Sequence, residues 1–321
     1  MQRRDFLGIA AGTFAAALFE FDAVAASPVA ATTDADDAAA FLKARRFVRT
    51  SAGEIAYVER GQGEAALFLH GFPLNGYQWR GALARLSPYR RCIAPDFLGL
   101  GYTRVAEGQS LAPDAQVRML AELLDTLGVT RVDVVANDSG GQAAQLFLAT
   151  YPDRVRTLLL TNCDSEIECP PPALQQVIAL AKQDRFAQQW LAPWLADKAL
   201  ARSKDGLGGQ TFTHASNPGD DAIDVYLGPL VRNASRTNAF AVALERNWLD
   251  GIGPALKASR APTRIVWGTG DPIFTEAGAT HLDRAFGASR GVRRVDGAKL
   301  FFPEEFPDLI ADEARRLWGV G

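Results

Sequence analysis

The residues best suited to chemistry lie in Val132-Asp133-Val134-Val135-Ala136-Asn137-Asp138-Ser139-Gly140-Gly141. An apolar run that reads as a buried strand passes straight into a small-x-polar-x-small turn, and Gln142 onward reads as the start of a helix. Small neighbours at Ala136 and Gly140 allow close backbone approach, so the turn can lift one side chain to the top of a sheet. That side chain is the Asp138 carboxylate. A carboxylate is ionised at neutral pH and can attack carbon to form an ester without a base for the first step. Two other readings of the same residues stand beside it. Asp138 is also a good N-cap for the helix that begins near Ser139. Ser139 could itself be the nucleophile if the small flanks were Asn137 and Gly141, where Asn fits poorly.

Such a turn needs a sheet beneath it and helices around it. Candidate strands are 46–50, 54–60, 65–70, 91–95, 132–137, 156–162, 263–267 and 292–295, and candidate helices are 77–87, 113–127, 140–151, 277–287 and 304–318. This alternation implies an α/β fold with a mostly parallel central sheet flanked by helices. The segment 166–260 breaks the rhythm with Pro170-Pro171-Pro172, Trp190 and Trp194, and reads as a helical cap inserted over the carboxyl ends of the strands. The core is then 46–165 and 261–321. Ahead of it, residues 1–26 contain Arg3-Arg4-Asp5-Phe6-Leu7, an Ala-rich stretch and Val24-Ala25-Ala26 before Ser27. That pattern resembles a twin-arginine export signal, which implies a folded bacterial protein delivered to the periplasm or beyond. Replacing Arg3 and Arg4 by Lys should then hold the protein in the cytoplasm, and normal export of that variant would refute the reading. Residues 27–45 read as a flexible tail.

Composition narrows the chemistry further. The chain has 321 residues, 48% hydrophobic and 22% charged, with a formal charge of −3, so no basic excess invites nucleic acid. Past the signal no apolar run is long enough for a membrane span. Only three His occur, and Cys92, Cys163 and Cys169 show no CxxC spacing, so nothing suggests a metal; GxGxxG and GxxxxGK[ST] are absent, and no organic cofactor is expected.

Several segments in order carry a family resemblance: His70-Gly71-Phe72-Pro73, Asp96-Phe97-Leu98-Gly99-Leu100-Gly101, the Asp138 turn, Tyr151-Pro152-Asp153-Arg154-Val155, and Trp267-Gly268-Thr269-Gly270-Asp271-Pro272-Ile273-Phe274. Over residues 46–318 the chain resembles the α/β-hydrolase fold superfamily. With Asp at the turn it is most similar to the branch of haloalkane dehalogenases and epoxide hydrolases. The resemblance implies Asp138 as nucleophile, the backbone N–H groups of Phe72 and Ser139 as an oxyanion hole, and Asp271 as the acid that orients a catalytic His. Asp164 matches an alternative acid position.

The His itself is missing. After the last strand comes Asp296-Gly297-Ala298-Lys299-Leu300-Phe301-Phe302, with Leu300 at the His position. His70 reads as structural, His214 as a cap residue and His281 as a helix residue, and Lys299 is a conceivable surrogate base. The expected ligand is a small, largely apolar molecule under the cap, in a pocket containing Trp79, Trp190, Trp194 and Tyr226, the last also a possible proton donor. The leading expectation is an exported hydrolase with a degenerate triad. A non-hydrolytic enzyme or a ligand-binding protein on the same scaffold is the alternative, and oligomeric state is open.

Overall fold

The computed structural model describes residues 37–321. The expected export signal, and the expected tail up to residue 36, lie outside these residues. The core is one sheet of β1 (Arg46–Thr50), β2 (Gly53–Arg60), β3 (Ala65–Leu69), β4 (Arg91–Pro95), β5 (Arg104–Val105), β6 (Val132–Asn137), β7 (Val155–Thr161), β8 (Thr263–Gly268) and β9 (Ser289–Val295). Their spatial order is β1-β2-β4-β3-β6-β7-β8-β9, with the short β5 paired to β2. From β4 to β9 all pairings are parallel, and β2 joins β4 antiparallel. β3 and β6 are buried at every position, as strands covered on both faces must be.

This order creates the crevice. The chain leaves β3 toward β4 on one side, then returns through β6 on the other. The carboxyl ends of β3 and β6 therefore flank a switch point, where open parallel sheets bind ligands. Phe72 follows β3 and Asp138 follows β6, so the two arrive at the same place.

Two departures from the sequence reading have clear causes. Part of the expected tail is a helix, Ala38–Lys43, capped by the Asp37 side chain. Phe41 buries its ring edge-on against Tyr77, which fixes a segment that composition alone marks as loose. The helix expected over 77–87 splits into a tight turn at Gly76–Trp79 and the helix Arg80–Leu86.

Between β7 and β8 the chain runs through short helical pieces, among them Leu174–Ala181, a π-helical turn at Ala187–Leu191, Asp220–Arg232 and Ala234–Ala243. Partly buried polar groups bolt this layer to the core. The Glu305 carboxylate accepts from Thr213 N–H, His214 N–H and Asn217 Nδ2 at 2.8–2.9 Å. Arg80 donates to Glu304 at 2.8 Å and Tyr226 Oη donates to the same carboxylate at 2.7 Å. Asn75 Nδ2 donates to the Val225 carbonyl.

Candidate active site

Asp138 sits between β6 and the helix Ser139–Thr150 with φ 54° and ψ −130°, a left-handed conformation that costs an L-residue about 1–3 kcal/mol. The strain is held by its neighbours. Asp138 N–H donates to the Asn162 carbonyl at 2.8 Å, and its own carbonyl accepts from Gly141 N–H at 2.8 Å. A side chain on Gly140 would collide with the Leu69 and His70 carbonyl oxygens, so β3 can pass this close only with glycine there.

The Asp138 side chain makes no capping bond to the helix. Instead its Oδ2 accepts from Phe72 N–H at 2.6 Å. Gly71 permits that approach, because a Cβ there would lie 2.7 Å from Oδ2. The loop carrying Phe72 is fixed from below by His70. Phe97 N–H donates to His70 Nε2 at 3.1 Å, so Nδ1 carries the proton and faces the Gly71 carbonyl at 2.9 Å. Burial holds the His70 pKa down and keeps the ring neutral.

A second support joins three loops. Gln78 accepts from Gly71 N–H at 2.9 Å and donates to Asn137 Oδ1 at 2.6 Å. Asn137 Nδ2 in turn donates to the Leu300 carbonyl at 3.0 Å.

Above Asp138 opens a cavity of about 580 Å³. Phe72, Phe186, Trp190, Trp194 and Leu300 give it apolar walls; Asp138, Ser139, Gln142 and Asp164 give it a polar floor, and Asp205 also reaches it. No Lys, Arg or His lines it among the described residues, so the carboxyl groups face one another without a cation. Burial pushes the Asp138 pKa up to about 7, against the backbone N–H groups of Phe72 and Ser139, which favour the charged form; the charge of Asp271 adds to the rise. Asp164 is raised well above the usual carboxylate range by burial and by the charge of Asp138. Asp271 is raised to about 6 by burial, opposed by hydrogen bonds from Ile273 N–H, Asn162 and Phe274 N–H.

The structure brings Phe72, Asp138, Ser139, Asp164, Trp190 and Trp194 together on one cavity. Asp271 does not line the cavity; it is half-buried, accepting from Asn162 Nδ2 and Ile273 N–H at 2.8 Å each. Three further expected residues are not brought to the cavity. Trp79 is fully buried in the core against Phe68. Tyr226 is fully buried with its hydroxyl committed to Glu304, so it has no route to a ligand. Lys299 donates its ammonium to the Gly209 carbonyl at 2.6 Å and does not line the cavity, which removes it as surrogate base. His214 packs edge-on against Phe306, and His281 stands 3.9 Å from the Glu166 carboxylate, so none of the three imidazoles reaches Asp138.

Sequence reasoning missed Gln142 and Phe186. Gln142 lies three residues past Ser139 and so shares its helix face, a spacing that was available. Phe186 had no such signal.

The raised Asp138 pKa has a measurable consequence. The folded protein keeps a proton that the unfolded chain gives up between about pH 4 and 7. Asp138 therefore stabilises the fold most below pH 4, and that contribution is lost as pH rises through 7. Asp138→Asn keeps an acceptor for Phe72 N–H but cannot ionise. Its stability advantage over the natural protein should grow across that window, by on the order of 3 kcal/mol. Thermal melts at pH 4 and pH 8 check this, and an unchanged difference between them would refute it.

The chain belongs to the α/β-hydrolase fold family, whose model, described as alpha/beta hydrolase fold, matches residues 66–306. It is similar to haloalkane dehalogenase 2 of Mycobacterium tuberculosis, with 33% identity over 117 residues, which are 36% of this chain and 41% of that one. The aligned stretch thus spans about two fifths of that relative's length. Epoxide hydrolase 3 of Mus musculus is 24% identical over 273 residues, covering 81% of this chain and 72% of that one. Among solved structures, a loop variant of a haloalkane dehalogenase from Bradyrhizobium elkanii superposes with a TM-score of 0.66 at 22% identity, covering 86% of this chain and 96% of that one, a likeness of fold.

Proposed function

We propose that the protein is a hydrolase in which Asp138 attacks a small, largely apolar electrophile and forms an alkyl-enzyme ester. The names of its relatives supply the substrate classes to test, haloalkanes and epoxides. The observation that carries the reading is the Asp138 carboxylate itself. One oxygen is held on Phe72 N–H at 2.6 Å, while the residue opens onto the aromatic cavity. The oxygen not bound to Phe72 N–H attacks carbon and the leaving group departs with the bonding pair. The held oxygen becomes the ester carbonyl and stays on its donor. When water later attacks Cγ, negative charge develops on that same oxygen, so the hole is already formed for the second step.

Leu300 favours a second reading, a ligand-binding or non-hydrolytic protein, because it fills the cavity wall with a side chain that moves no proton. Intact-mass analysis of the purified protein with 1-bromobutane and with 1,2-epoxybutane, with bromide and diol measured in parallel, separates the two. The expected result is an alkyl adduct at single turnover together with product. No adduct and no product from either compound would leave only the second reading.

A further inference from the structure

The Asp138 reading lacks a group to move protons, and the cavity offers one. Tyr226 and Lys299 are committed elsewhere, and no imidazole lines the cavity among the described residues. Asp164 lies on the loop after β7, is 5% exposed, and lines the same cavity as Asp138. The groups facing it are Asp138 across the cavity, the Cys169 thiol that hydrogen-bonds its carboxylate, and Cys163 and Glu168 on its own loop, none of them a cation. Two carboxyl groups lining one cavity without a cation disfavour double ionisation, and the more deeply raised Asp164 holds the proton. Beside them is an independent sign of a ligand: Ser139 Oγ is buried, lines the cavity and has no hydrogen-bond partner.

Resting on the Asp138 reading, we propose that Asp164 acts first as general acid and then as general base, and that the natural substrate is a small epoxide. In the first step the Asp138 carboxylate attacks a ring carbon. The carbon–oxygen bond breaks, its electron pair moves to the ring oxygen, and that oxygen takes the Asp164 proton. Asp138 is now a neutral ester and Asp164 a carboxylate. In the second step water adds to Asp138 Cγ while Asp164 takes one of its protons. The negative charge rests on the oxygen held by Phe72 N–H. Collapse expels the diol oxygen, which takes the proton of the hydroxyl just added to Cγ. Epoxide and water have become a diol, Asp138 is again a carboxylate, and Asp164 again holds its proton. One carboxyl serving as acid and then base is the proton economy of retaining glycosidases. Burial and the charge of Asp138 both keep the proton on Asp164 before the first step. A halide leaves without needing a proton, so a haloalkane would use only half of this arrangement.

The test uses the purified chain with 1,2-epoxybutane and with 1-bromobutane. Asp164→Asn is expected to lower diol formation by about 10²–10⁴-fold. The same variant is still alkylated by 1-bromobutane, and its ester accumulates. Asp164→Glu keeps a carboxyl and is expected to retain diol formation well above that of Asp164→Asn. Diol formation by Asp164→Asn at the natural rate would overturn the acid–base role and leave the Asp138 reading intact. Loss of alkylation in both Asp164 variants would make the residue structural and overturn the role as well. No alkylation of the natural protein by either compound would overturn the Asp138 reading and this one with it.

Discussion

Asp138→Ala is expected to abolish adduct formation with 1-bromobutane and 1,2-epoxybutane and to lower product release by at least about 10⁴-fold, the scale on which removal of a covalent nucleophile acts. The size of the effect follows from the absence of a substitute. Ser139 is the adjacent hydroxyl on the cavity, but among the described residues no imidazole lines that cavity to take its proton. Asp164 is held as an acid by burial, which the Ala substitution leaves in place, so it cannot attack while protonated. The loss should come from chemistry and not from unfolding. The carboxylate is a buried group whose ionisation costs stability above pH 7, so the Ala variant is expected to melt no lower than the natural protein at pH 8. Intact mass and bromide release in the same samples give the answer. Bromide release by the Ala variant at the natural rate would remove Asp138 from the mechanism.

The second large effect is a gain. Leu300→His, placed in the Asp164→Asn background, is expected to shorten the lifetime of the butyl ester by about 10²-fold or more, the usual worth of a general base. Leu300 is buried and lines the cavity with Asp138, so an imidazole there faces the ester that must be hydrolysed. Asp271 is in place to bias such a ring. Its charge is felt at Asp138, and its carboxylate is already oriented by Asn162 and Ile273. The Phe72 donor that holds the ester oxygen is untouched by the substitution. Single-turnover mass analysis after excess 1-bromobutane is removed measures the lifetime. An ester as long-lived as in Asp164→Asn alone would mean that position 300 does not reach Cγ.

Much of the site was readable because it is written in backbone constraints. The turn needs Gly140 for the close pass of β3, and a buried strand needs the unbroken apolar run before it, so Asp138 could be placed from spacing alone. The mostly parallel sheet followed from the alternation of strands and helices, although the strand order that makes the switch point and the short β5 left no pattern to find. The pocket was legible only in part. Trp190 and Trp194 reach the ligand space, whereas Trp79 and Tyr226 fill the core and the seam beneath the cap. An aromatic side chain satisfies both environments equally, and only the tertiary path of the cap decides between them. The Ala38–Lys43 helix was hidden for the opposite reason. Its Ala-rich composition says little, and the single anchor Phe41 gains meaning only once Tyr77 lies across from it.

The Gln78–Asn137 amide pair grips the last loop by the Leu300 main-chain oxygen, not by the side chain. That contact therefore does not depend on which side chain stands at residue 300. A lineage could exchange the group that completes the chemistry there by one substitution, in either direction, without first rebuilding the loop. The same grip lets the loop keep its path when the side chain facing the cavity changes.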